Sequence, residues 1–174
     1  MALIDPLPTG VLQGRAICKA ELRRLLCALA PLDEAGRVFD PIPRDLLMAD
    51  IRFADWPLDE PAVLAGLTRW IRQPGRQLCL VGVDFEAVAQ NHPRFARWRR
   101  DWAHRIEVFA PVDGALAPGL RLLLAGPLAA QWLDAPDWRL RLITQSVHIN
   151  ALREQLADFL QRCQPAWPPT TLGL

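Results

Sequence analysis

Apolar positions fall at helical spacing in some stretches of the chain and in continuous or alternating runs in others. Cys18, Leu22, Leu25, Leu26 and Leu29 share one helical face, while Arg15, Lys19 and Arg23 stack on another, which predicts a helix over residues 15–30 stopped by Pro31. Gly36, Pro41 and Pro43 mark residues 32–44 as a loop, with a short helical turn at 45–48. A strand is expected at 50–54. Asp59 can then cap a helix whose first turn holds Glu60 and Pro61, with Val63, Leu64, Leu67, Trp70 and Ile71 as its apolar stripe and Pro74-Gly75 as its end. The unbroken apolar run over 78–83 reads as a strand buried on both faces.

One or two helical turns follow at 85–90, and Pro93 opens a stronger helix reaching about His104. Residues 105–110 alternate as a strand does, 120–125 form an apolar strand, and 139–144 alternate Arg with Leu like a half-exposed or edge strand. Asn150 can cap a last helix carrying Leu152, Leu156, Phe159, Leu160 and Cys163. The order predicts an α/β layered sandwich, with a mostly parallel mixed sheet of about five strands flanked by helices. The 174 residues suit a single domain: an irregular arm (1–14), the N-terminal helix and loop (15–48), an α/β core (49–163) and a proline-rich tail (164–174).

Composition changes this picture little. At 51% hydrophobic and 22% charged, the chain can bury a core without disulfides or metal. Lys19 is the single lysine among twenty basic residues, a chain-wide arginine excess that fits a GC-rich bacterial genome. A net charge of +1 gives no global sign of a nucleic-acid or membrane partner. Seven Trp and no Tyr point to heavy core or interface packing. The first residues lack the charged and apolar segments of a signal peptide, and no apolar run approaches a membrane span, so a cytoplasmic location is expected. Cys18, Cys27, Cys79 and Cys163 form no CxxC and sit at apolar positions, as core thiols do.

Most catalytic motifs are missing. No G-x-G-x-x-G follows a strand, no P-loop can form around Lys19, and Ser146 lies in no G-x-S-x-G elbow. His92, His104 and His148 lack metal-ligand spacing, so neither a metal nor a cofactor is expected. Asp55 and Asp84 follow strands, where α/β folds place functional acids, and with His92 and His104 they could make an acid/base site.

The segment 91–105 stands apart. It holds five Arg against one Asp, a local +4 in a chain whose total is +1. Phe95, Trp98 and Trp102 make one aromatic stripe, while Arg97, Arg100 and His104 share another face and Asp101 can pair with Arg97. Such a helix can simply pack its aromatics and solvate its arginines. It can also hold an anion through His92, Arg94, Arg97, Arg100 and His104, or stack and clamp single-stranded nucleic acid.

With these elements in place, residues 50–167 resemble one half of a phospholipase D-like domain, in the degenerate form found in bacterial proteins of unknown function. The parallels are a strand at 51–53, a helix ending in Trp70-Ile-Arg, and a strand ending Val83-Asp84. They continue with a His-containing Arg-rich helix from His92 to Arg100, a strand at 105–109, and a closing helix with Phe159 followed by Trp167. Active members carry His-x-Lys followed by Asp; here Lys19 is the only lysine, and His148-Ile-Asn150 is the nearest fragment. The resemblance therefore implies a non-catalytic scaffold that binds a protein partner or itself, as a homodimer. A phosphate- or nucleic-acid-binding module built on helix 94–105 is the alternative, with nucleic acid the less expected ligand, and an acid/base enzyme is the third reading.

Overall fold

The computed structural model describes residues 10–38, 42–133 and 138–169. Most of the proposed arm (1–9), part of the first loop (39–41) and the end of the tail (170–174) lie outside the described residues. The chain order is β1 (Gly10–Gln13), α1 (Arg15–Cys27), β2 (Asp45–Ala49), α2 (Pro61–Ile71), β3 (Gln77–Val81), α3 (Phe85–Asn91), α4 (Pro93–Asp101), β4 (Ile106–Pro111), β5 (Leu122–Ala125), β6 (Leu128–Trp132), β7 (Arg139–Ile143), α5 (Ser146–Leu160) and β8 (Cys163–Pro165). A 3-10 turn, Ala103–Arg105, joins α4 to β4.

The strands form one eight-stranded sheet in the order β1-β7-β6-β5-β2-β3-β4-β8. The fold is α/β, but the sheet is neither five-stranded nor mostly parallel. Only β2–β3 and β3–β4 run parallel, each joined by a helical crossover, and the other five pairings are antiparallel. The reason lies in the connections. Just Gly126 and Pro127 separate β5 from β6, and a link that short can only reverse the chain.

Several elements differ from their sequence reading. The strand expected at 50–54 lies earlier, at Asp45–Ala49, where a helical turn was expected. Asp50 ends it by drawing the N–H groups of Arg52 and Phe53 onto its own carboxylate, each at 3.3 Å. The last helix starts at Ser146, so Asn150 is an interior residue and not a cap. β7 is not an edge strand, because β1 covers it. β1, β6 and β8 had no counterpart among the expected strands.

The period-two alternation of the central strands feeds two cores. Leu46, Met48, Leu78, Leu80, Ile106 and Val108 face α1, α2, α3 and α4 on one side. Ala49, Val81, Leu122 and Leu124 face Ile149, Leu152, Leu156 and Phe159 of α5 on the other. Trp56 and Trp70 are fully buried with their indole N–H groups satisfied, the latter by the Pro43 carbonyl at 2.7 Å. The four cysteines are free thiols. Burial pushes Cys79 up to about 12, helped by Glu107 and Cys163. At pH 8 its thiolate fraction is then about a thousandfold below that of an ordinary thiol. Iodoacetamide labelling followed by peptide mass spectrometry should modify half-buried Cys79 far more slowly in the native protein than in denaturant; equal rates in both states would contradict its raised pKa.

Candidate functional site

The loop after β2 leads to the arginine helix. Asp50 is 2% exposed, and its carboxylate accepts from the Trp56 indole at 2.9 Å and from Arg121 at 3.1 and 3.2 Å. Within this turn Phe53 adopts φ 53°, a left-handed conformation costly for a bulky residue. The Phe53 carbonyl accepts a 2.8 Å hydrogen bond from His92 Nε2, so that nitrogen carries the proton. His92 is 6% exposed, and its Nδ1 is buried without a partner.

The four proposed acid/base residues do not converge as a set. Asp84 caps α3 by accepting from the Ala87 N–H at 2.9 Å. Asp55 lies 3.7 Å from Arg15, and burial raises its carboxyl above the usual range, opposed by Arg15 and Arg121. His92 precedes α4 and His104 follows it, with nine helical residues between, about 14 Å of helix axis. Asp55, Asp84, His92 and His104 are thus not gathered around one point.

α4 itself sorts its side chains by face. Phe95 and Trp98 are buried and stacked at 5.6 Å, Trp98 donates to the Thr68 hydroxyl at 2.9 Å, and Trp102 is half-buried. The aromatic stripe belongs to the core, so it offers no platform for stacking bases. Arg99 is 3% exposed, lies 5.0 Å over the Trp167 ring, and desolvation lowers its pKa. Arg105 turns back to the Ile71 and Gln73 carbonyls at 2.6 and 2.9 Å and closes the end of α2. Of the five arginines in the segment, Arg94, Arg97 and Arg100 remain exposed, with His104 beyond them.

None of these three makes an ion pair among the described residues, including the Arg97–Asp101 pair its spacing allows. The N-terminus of α4 is closed to outside anions, because Asp59 already accepts from the Arg94 and Phe95 N–H groups at 2.6 and 3.2 Å. Asp59 therefore caps α4, not α2 as the local sequence suggested; the N-cap position of α2 is Glu60, whose side chain makes no cap and instead pairs with Arg23. What α4 presents is a row of exposed guanidiniums with no ion pair among the described residues, suited to a charged strand lying across it.

No family model and no curated protein matches the chain. Among solved structures, it is similar to TrmBL2, an archaeal chromatin protein described as showing a novel mode of DNA binding, with a TM-score of 0.63 and 9% identity. The match covers 92% of this chain and 54% of that one, so this chain spans about half the length of the chromatin protein. At this identity the likeness is one of fold. It includes almost the whole chain, whereas the phospholipase D-like resemblance covered residues 50–167 and left the first helix out. That resemblance is overturned: the chain is similar in fold to a chromatin protein over almost its whole length, no family model supports the assignment, and the sheet is mixed and mainly antiparallel. Among the described residues no helix is long and apolar enough to cross a membrane.

Proposed function

We propose that this chain is a nucleic-acid-binding module that grips the phosphate backbone of duplex DNA through Arg94, Arg97 and Arg100, with His104 at the end of the row. The observation that carries the reading is the exposure of these three guanidiniums on one helix, with no ion pair among the described residues. The DNA binding described for the chromatin protein supports it by likeness of fold. Burial of Phe95 and Trp98 favours a duplex backbone over single strands, which would need exposed rings for stacking. The role is one of binding, and no residue is assigned a step in catalysis.

Fluorescence anisotropy with a labelled duplex tests this between about 50 and 200 mM salt. Three phosphate contacts give a slope of log K against log salt near about −2.7. Changing all three arginines to glutamine should weaken binding about 100-fold at low salt, because each charge-assisted contact contributes on the order of 1 kcal/mol. All three side chains face water, so circular dichroism should be unchanged. A variant that kept the wild-type affinity and slope would sink the proposal.

A further inference from the structure

A second group of arginines lies where the parallel strands begin. Arg44, Asp45, Gly75, Arg76, Gln77 and Arg105 line a polar cleft of ≈ 570 Å³ there. Strand register explains the cluster. Asp45 lies opposite Gln77, so Arg44 and Arg76, the residues before them, emerge side by side. Leu78 lies opposite Ile106, which puts Arg105 level with Gln77 on the next strand. Neighbouring strands are about 4.8 Å apart, so three cationic residues leave the backbone within about 10 Å of one another. Gly75, at φ 70°, makes the turn that brings Arg76 there; any side chain at that φ would be strained.

Two of the three guanidiniums are already oriented by the backbone. Arg105 Nη1 is held by the Ile71 and Gln73 carbonyls, and Arg76 Nη1 donates to the Pro74 carbonyl at 3.1 Å. Arg76 Nε is buried with no partner. Neither Arg44, Arg76 nor Arg105 makes an ion pair among the described residues, and Asp45 is the sole carboxylate lining the cleft. Three cations against one anion leave an excess of two positive charges in a space larger than a phosphate group alone.

We infer that this cleft binds a phosphate monoester, whose dianion matches the charge excess and whose three terminal oxygens can each take a guanidinium fork. A backbone diester, with one charge and two free oxygens, fits it less well. This site is separate from the exposed row on α4 and stands whether or not that row binds DNA.

Isothermal titration calorimetry at pH 8 and low ionic strength, with inorganic phosphate and dimethyl phosphate as probes, tests the inference. Inorganic phosphate should saturate a single site and bind about tenfold or more tightly than dimethyl phosphate. The double variant Arg44→Gln, Arg76→Gln should weaken phosphate binding by about 30-fold, while the Arg94, Arg97, Arg100 triple variant should bind phosphate as the wild type does. Arg105 is left intact because it also closes α2. Failure of the folded wild-type protein to bind phosphate, equal binding of the two probes, or loss of binding in the α4 variant alone would each overturn the inference. Duplex binding measured on the same variants reports on α4 independently.

Discussion

Replacing Asp50 with alanine is expected to cost about 3–5 kcal/mol of folding stability, the usual consequence of removing one partner from a buried charge network. The carboxylate takes hydrogen bonds from Trp56, Arg121 and the turn that ends β2. Without it the Trp56 indole and the largely buried Arg121 lose their acceptor. Domains of this size are stable by about 5–15 kcal/mol, so the variant should fold only marginally. Asp50→Asn keeps an oxygen for the indole or the turn but removes the charge facing Arg121, and should lie between. Urea denaturation would show this as a lowered midpoint with an unchanged slope. A midpoint within experimental error of the wild type would mean that the network contributes nothing net. The effect should reach the exposed arginines of α4 as well, because this turn carries the Phe53 carbonyl held by His92 and leads to Asp59, the cap of α4.

Gly66→Ala is expected to lower stability by about 2–3 kcal/mol even though alanine is the better helix former. A methyl group there would stand 2.6 Å from the Leu26 carbonyl oxygen and 2.9 Å from Cys27 Cα, both backbone atoms of the end of α1. Helix propensity gains about 1 kcal/mol, which the clash outweighs because α1 as a whole must move to relieve it. The melting temperature should fall on the order of 5–10 °C, and Gly66→Val should fall further. A rise in melting temperature would show that α1 can slide away from α2 at little cost.

Much of the chain is legible from its pattern. Helices α1, α2 and α4 and strands β3, β4, β5 and β7 fall close to their expected positions, because each carries an apolar stripe or run long enough to set its period. The strands that escape notice are short or weakly patterned. β8 has three residues, β1 follows Pro8 and opens on Gly10, and β6 reads Leu-Ala-Ala-Gln-Trp, in which small residues blur the alternation. β2 is displaced because Leu46 to Ala49 are apolar throughout, so only the Asp50 turn shows where the strand stops.

For the candidate sites, the sequence by itself determined that a basic helix with an aromatic stripe starts at Pro93, since spacing alone dictates which residues share a face. Only the tertiary structure decided which of its arginines meet water. Arg99 is buried under Trp167, 68 residues away along the chain, and Arg105 is drawn to carbonyls 32 and 34 residues earlier. Asp59 takes the N-terminus of α4 across a separation of 35 residues. The grouping of Arg44, Arg76 and Arg105 comes from sheet register in the same way. Periodicity reports a residue's neighbours within a few turns, whereas caps, buried charges and clefts are made between segments that meet only once the sheet has formed.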